Sequence, residues 1–401
     1  MKKIVFVAYD LNPSFGSEAG KANLWLELIS KHYFVEAFTS DEHKKDIVKK
    51  EYENVNFNFV TLNSVKYRIF RKLKLYNLTN FIFIKKIKPL LKEKTDNEKY
   101  SLIHCITPAG IHAYNDLYKL GIPVIIGPLG GGLKVPRGFE KIFKKQRVKN
   151  FLRDCYYDFI MHHKKWQQYF INAKKIIIGT SYLMALLPKQ CHNRMKIIFD
   201  TLVDPLKFKC VKNKQDKNVH ICFSARMEPQ KGCHLLIEAF ISIAKENKNV
   251  ILDFVGAGSS LSILKKIAAD ANIKDRVRFW GLVSRDQVLQ ILNQADIFCL
   301  PTLREPGGVA ILEAMACELP VVTTNYGGPA YSVTEDCGIK IEPINYDQYV
   351  KDLEKALLYL IKNKNERIRM GKNGRKRVIA EFSPKAVEKK IIKVYNEVLK
   401  D

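Results

Sequence analysis

Ile297-Phe298-Cys299-Leu300-Pro301-Thr302-Leu303-Arg304-Glu305-Pro306-Gly307-Gly308-Val309-Ala310-Ile311-Leu312-Glu313-Ala314-Met315-Ala316 reads as strand, loop and helix in immediate succession. The first four residues are apolar without alternation, the mark of a strand buried on both faces in a parallel sheet. The proline and the paired glycines break that strand, and a run of good helix formers follows. Ligands of parallel sheets bind outside the carboxyl ends of the strands, where this loop sits. Its glycines let a ligand approach backbone amides at a helix start, and the helix dipole there favours phosphate. Glu305 and Glu313 stand eight residues apart. At helical rise that is about 12 Å, too far for the ~5–9.5 Å carboxylate pairs of glycosidases. The spacing suits two carboxylates gripping different parts of one long ligand. Two solvated helix glutamates are the plain alternative, and this spacing alone does not displace it.

Outward from this stretch the same alternation repeats. In the first half, apolar runs lie at Ile4–Tyr9, Val55–Leu62, Leu102–Ile106, Val124–Ile126, Lys175–Ile178 and Lys196–Phe199. In the second half they lie at Val219–Ser224, Val250–Val255, Val277–Trp280, Ile297–Leu300 and Pro320–Thr323. Most neighbours leave room for a helix between them. The expected class is α/β, with two Rossmann-like, doubly wound parallel sheets. A chain of 401 residues exceeds what one core usually serves. The polar stretch within Asp200–Asn218 marks the break. The expected domains are 1–203 and 204–383, with a terminal helix over 384–401 returning to the first.

A second cluster lies upstream. After the run Val219–Ser224 comes Ala225-Arg226-Met227-Glu228-Pro229-Gln230-Lys231-Gly232, and then Leu235, Leu236, Ala239, Phe240 and Ile243 at helical spacing. Two cations around a strand-to-helix turn, beside helix-terminal amides, make a diphosphate clamp. Either cation alone reads equally well as an exposed loop residue.

Arg226, Lys231, Glu305 and Glu313, with Phe254-Val255-Gly256-Ala257-Gly258, Val277-Arg278-Phe279-Trp280-Gly281, Pro320-Val321-Val322 and Gly327-Gly328, resemble the retaining glycosyltransferases of family 4, which have the GT-B fold. The match covers about residues 219–342 closely and the rest in outline. The resemblance implies two Rossmann-like domains facing across a cleft. It implies that Arg226 and Lys231 neutralise the donor diphosphate, that Glu305 holds the transferred sugar, and that Gly307, Gly308 and Val309 offer backbone to the donor. Glu313 would accept hydrogen bonds from the ribose, and Val283 would lie near the base. It implies no metal and no cofactor, the cations and helix amides doing the metal's electrostatic work. The donor would be a nucleotide sugar, UDP-linked by preference with GDP and ADP possible. The acceptor would be a glycan or a lipid-linked glycan of surface polysaccharide or glycolipid synthesis in a bacterium. An epimerase or hydrolase on the same fold is the nearest alternative.

Two glycine loops of the first half, Gly16-Ser17-Glu18-Ala19-Gly20 and Gly127-Pro128-Leu129-Gly130-Gly131-Gly132, resemble loops of one branch of that family. They place Gly16 and Gly20 among the donor-binding candidates. Departures from the family pattern are as informative. Gly127-Pro128 stands where many members have a histidine, and His104, one run earlier, reads as a core or cleft-side histidine. Glu318 replaces the usual glycine before Leu319-Pro320-Val321-Val322, so that helix end is expected to close differently.

The net charge is +26. Residues 1–200 hold 35 Lys+Arg against 17 Asp+Glu and so carry +18 of it. That asymmetry suggests an anionic partner such as a membrane surface, although Lys-rich surfaces also arise from genome composition. The mixed cationic and apolar segments 66–76, 81–92 and 141–149 are the candidates to meet it, although Phe81–Leu91 reads also as a core helix with a solvated lysine edge. A nucleic-acid-binding protein would also be basic, yet no recognised module or aromatic-and-basic repeat accompanies the charge. A dinucleotide oxidoreductase is disfavoured because Leu261 stands where Gly256-Ala257-Gly258 would need its third glycine. No run approaches the ~18 apolar residues of a membrane span. The opening run ends at Asp10 with no small-residue cleavage site and reads as a buried first strand, so a cytoplasmic location is expected. Nine widely spaced cysteines without C-x-x-C indicate neither a disulfide framework nor a zinc site. No Asp-x-Asp occurs in the chain.

Overall fold

A computed structural model describes residues 1–13, 18–73, 75–211 and 217–400. It is α/β throughout and holds two compact units, each with its own parallel sheet. The first unit comprises Met1–Gly132, Arg153–Asp200 and the chain from Val387 onward. The second comprises Leu133–Leu152 and Thr201–Ala386.

The first sheet contains β1 (Lys3–Ala8), β2 (Phe34–Ser40), β3 (Val55–Val60), β4 (Ile103–Thr107), β5 (Val124–Leu129), β6 (Lys175–Ile178) and β7 (Met195–Ile197). Their order is β3-β2-β1-β4-β5-β6-β7, every pair parallel. The helices in the chain between β1 and β7 are α1 (Glu18–Ser30), α2 (Lys44–Ile47), α3 (Val65–Lys72), α4 (Tyr76–Asn97), α5 (Arg147–His162) and α6 (Lys164–Asn172). β1 buries five consecutive residues, Ile4 to Ala8, as expected of a strand covered on both faces.

The second sheet contains β8 (Val219–Ser224), β9 (Val250–Val255), β10 (Val277–Gly281), β11 (Ile297–Leu300), β12 (Val321–Thr324) and β13 (Gly338–Ile341). Their order is β10-β9-β8-β11-β12-β13, again all parallel. The helices that follow β8 are α7 (Cys233–Glu246), α8 (Leu261–Asp270), α9 (Arg285–Gln294), α10 (Val309–Ala316), α11 (Gly327–Ser332), α12 (Tyr346–Lys362), α13 (Lys364–Arg377) and α14 (Pro384–Lys400). In α7 the five residues read from helical spacing, Leu235, Leu236, Ala239, Phe240 and Ile243, are all buried.

Both sheets are doubly wound, as the alternation of runs implied. Two strands escaped the reading. β2 is interrupted by Glu36, whose carboxylate takes Asn56 Nδ2 at 3.0 Å, Asn58 Nδ2 at 2.5 Å and Lys94 Nζ at 2.5 Å. Polar neighbours thus satisfy a charge that looks out of place in a strand. β13 is a four-residue edge strand carrying Lys340, too short and mixed to show. Gly127 and Pro128 are a correction of another kind. They lie inside β5, and the glycine loop begins only after Leu129.

α14 belongs to the first unit from Val387 on and buries Val387, Ile391, Val394, Tyr395 and Val398 along one face. Glu397 pairs with Lys175 at 2.7 Å, and Glu388 takes His32 Nε2 at 2.7 Å. Tyr395 Oη meets His104 Nδ1 at 2.6 Å, while His104 Nε2 lies 2.7 Å from the Gly127 carbonyl. A carbonyl only accepts, so the neutral ring donates from Nε2 and accepts the tyrosine proton at Nδ1. His104 is therefore a core residue.

Among the described residues no helix is long and apolar enough to cross a membrane.

Candidate functional site

β8 and β11 are neighbours at the point where the second sheet changes direction, β9 lying on one side and β12 on the other. The loops leaving their carboxyl ends therefore border the crevice in which ligands of such sheets bind. The loop after β8 carries Arg226 and Lys231, and the loop after β11 carries Glu305, Gly307 and Gly308.

Local chemistry holds the two loops together. The Gln230 carbonyl accepts from Leu303 N and from Thr302 Oγ1, both at 2.9 Å. Lys231 Nζ forms an ion pair with Glu305 Oε2, and both side chains are mostly buried. Glu305 Oε1 also takes the Gly307 N–H at 3.1 Å. Glu228 reaches the loop after β9, accepting from Ser259 Oγ at 2.7 Å and Ser259 N at 3.2 Å. Glu305 is thus fixed on one side by a cation and on the other by the Gly307 N–H of its own loop.

Gly308 caps α10 with φ 105°, a conformation that disfavours any side chain. The N–H groups of Gly308, Val309 and Ala310 find no backbone acceptor among the described residues. They are the unsatisfied donors of a helix start, a ready anion site. The Gly327–Gly328 pair closes this loop from behind. Gly328 N donates to the Glu305 carbonyl at 2.8 Å, and a Cβ at Gly328 would come within 2.3 Å of the Gly307 oxygen.

Glu313 lies one turn from the end of α10 and is mostly buried. Burial pushes its carboxyl up from the ordinary value, and the exposed Arg285, at 3.1 Å, draws it partly back. Val283 is half-buried two residues before Arg285.

The structure brings Lys231, Glu305, Gly307 and Gly308 into one place. Arg226 shares the loop, but its side chain is exposed and pairs with none of them. Glu313, near the end of α10, and Val283, after β10, stand apart from them. Gly20 is buried in α1 of the first unit, and Gly16 lies outside the described residues. Sequence reasoning missed Arg285, the partner of Glu313. It also missed the segment Leu133–Leu152, which packs in the second unit although it comes from the first half of the chain. Within that segment Asn150 Oδ1 accepts from Arg304 at 3.1 Å, and the Lys134 carbonyl accepts from Tyr326 Oη at 3.0 Å. A separation of 154 residues leaves no local signal for the first of these.

Comparison with known proteins bears on this unit most directly. Residues 206–377 match the family model of glycosyl transferases group 1. A GDP-mannose-dependent monoacylated alpha-(1-6)-phosphatidylinositol monomannoside mannosyltransferase of Corynebacterium glutamicum is 31% identical over 170 residues, 41% of this chain and 43% of that one. The chain thus spans under half the length of that relative. Among solved structures, a glycosyltransferase from Rickettsia africae aligns over 100% of this chain and 99% of its own, with a TM-score of 0.67 and 16% identity. The Anabaena protein Alr3699/HepE, solved in complex with UDP, aligns over 99% and 100% with a TM-score of 0.63 and 15% identity. At such identity the likeness is one of fold, and that fold is GT-B.

Proposed function

We propose that this chain is a retaining glycosyltransferase that moves a sugar from a nucleoside-diphosphate sugar onto a glycan or lipid-linked acceptor. The observation that carries the proposal is the buried Lys231–Glu305 ion pair set beside the unsatisfied amides at the start of α10. A diphosphate arriving there competes with Glu305 for Lys231 and meets the amides of Gly308 and Val309. Glu305, released, accepts from the hydroxyls of the sugar. Arg226, exposed in the same loop, closes on the diphosphate. Glu313 takes the ribose, and Val283 borders the base.

In the transfer itself the acceptor oxygen forms its bond to the anomeric carbon on the face from which the phosphate departs. The bond from that carbon to the phosphate oxygen breaks, and the departing phosphate takes the acceptor proton. No enzymic nucleophile is needed. Lys231, Arg226 and the helix amides stabilise the charge that develops on the diphosphate, so no metal is required.

A UDP-sugar donor agrees with the UDP bound by the Anabaena protein, and a GDP-sugar with the name of the Corynebacterium relative. The latter also acts on a phosphatidylinositol mannoside by name, which favours a lipid-linked acceptor. Polysaccharide or glycolipid assembly on the cytoplasmic side of a cell membrane is the setting this reading fits.

Glu305→Gln tests it in an assay run with excess EDTA. The wild type turns over there, and the variant loses at least about 10²-fold in kcat, the scale of one lost transition-state contact. Nucleoside diphosphate binds the variant at least as well, because Lys231 is no longer held by a carboxylate. Equal loss of binding and turnover, or activity restored only by Mn²⁺, overturns the assignment. Donor turnover with no acceptor consumed makes the chain a hydrolase instead.

A further inference from the structure

α5 turns an apolar stripe to solvent. Val148 is 72% exposed, Phe151 65%, Leu152 61% and Phe159 63%, with Cys155 and Tyr156 exposed between them. These positions recur at i, i+3, i+4, i+7, i+8 and i+11, one continuous face of the helix. Arg153, Asp154, Tyr157 and Met161 on the other side are half-buried, and Ile160, at the stripe's edge, is buried. The Asn77 side chain donates to Tyr156 Oη at 2.7 Å and so sets the start of α4 beside this helix. The neighbouring α3 and α4 also leave Val65, Ile69, Leu73, Leu78 and Phe81 exposed.

The placement decides between the two readings of 81–92 in favour of a core helix, and it moves most of the apolar face away from 141–149. In 81–92 the residues Phe83, Ile84, Ile87 and Leu91 are core, and in 141–149 Phe143 is buried. The exposed apolar face lies instead on α5 and at the outer side of α3.

We infer that α5 is an in-plane docking helix for an anionic lipid bilayer, with the start of α4 beside it. Charge selects this occupant. Arg147, Lys149, Lys164 and Lys165 are exposed at the two ends of the stripe, and Lys66, Arg68 and Lys72 are exposed along α3. Residues 1–200 carry 35 cations against 17 carboxylates. A second copy of the chain seated on the stripe would bring like charges together. A bilayer of anionic lipid takes the apolar residues into its interface and offers phosphates to the cations. The inference extends the proposed function by naming the surface on which a lipid-linked acceptor would be met. It is read without donor or acceptor, so failed transfer leaves it standing and failed docking leaves the transfer chemistry standing.

Flotation of the full chain with vesicles of phosphatidylcholine containing phosphatidylglycerol tests it. The wild type floats at low salt, does not float with phosphatidylcholine alone, and is released near about 0.5 M NaCl, where the screening length is only a few ångströms. Phe151→Ser/Phe159→Ser lowers the bound fraction at least tenfold, and Lys149→Glu/Lys165→Glu does so independently. Melting temperature and nucleotide binding confirm that both variants are folded. No flotation of the wild type, or wild-type flotation of both folded variants, overturns the inference. A stable solution dimer dissociated by the phenylalanine substitutions gives the stripe to a second copy and overturns it equally.

Discussion

Glu313 shows how one buried charge sets a testable pH dependence. Its carboxyl is raised by burial and lowered less by Arg285. In the proposed role of acceptor from ribose hydroxyls it must be ionised. Acidification through its raised pKa protonates it, so nucleotide affinity falls as pH falls. Arg285→Ala removes the lowering influence and moves that fall to higher pH. Glu313→Gln binds more weakly at pH 7 by roughly 1.5–3 kcal/mol, the contribution of a hydrogen bond to a charged group, and loses the carboxylate's share of the pH dependence. Titrating nucleoside diphosphate into all three proteins between pH 5 and 8 by calorimetry checks this. Protonation of the ligand phosphate is common to all and cancels in the comparison. Identical pH profiles would remove Glu313 from the ribose.

The end of α10 is a matter of one element's geometry. Glu318 stands where the family that the sequence resembles has a glycine, and a different closure was expected. The helix nevertheless ends in the usual left-handed way, with Glu318 at φ 59° and the Leu319 N–H returning to the Ala314 carbonyl at 3.0 Å. Arg375 secures the turn by donating to the Ala316 carbonyl and, at 2.9 Å, to that of Phe208. The Glu318 carboxylate gains little, since it stands 4.0 Å from Arg375. A left-handed non-glycine residue costs about 1–2 kcal/mol, and glycine's larger unfolded-state entropy returns part of that. Glu318→Gly is therefore expected to stabilise the second unit by about 0.5–1 kcal/mol in urea unfolding. A clear loss of stability would mean that the carboxylate contributes more than its distance implies.

At the scale of the whole molecule, the last helix belongs to the first unit, and His104 makes that docking sensitive to acid. Burial lowers the imidazole to about 4 from an ordinary 6.5. Between those values the unfolded chain binds the proton and the folded one does not, so stability rises with pH across the window and is lost as pH falls through it. From pH 7 to pH 5 the loss is about 2 kcal/mol, taken from that difference in pKa. His104→Gln starts less stable, because the bridge between Tyr395 and Gly127 is disturbed, and loses this part of the pH dependence. Denaturant midpoints at the two pH values compare the proteins. The same slope in both would assign the acid sensitivity to other groups.

The sequence by itself determined the class of fold and the part of the site that is local. Unbroken apolar runs can be satisfied only by strands covered on both faces, and glycines before helical periodicity mark loops at strand ends. Lys231, Glu305 and Gly308 could be read as neighbours of strand-end loops because each lies within a few residues of such a boundary. Arg226 and Glu313 were read by the same signal, yet the structure does not gather them with the other three. β2 was not legible, because Glu36 is satisfied by Asn56, Asn58 and Lys94 from other elements. Only the tertiary structure paired Lys231 with Glu305 and Glu313 with Arg285, carried Leu133–Leu152 into the second unit, and turned the apolar face of α5 outward while burying Phe83 and Phe143. The physical reason is common to all of these. Periodicity records which residues avoid water or tolerate it, but the partner of a buried charge and the side of an amphipathic helix that stays uncovered depend on chain segments far away in sequence.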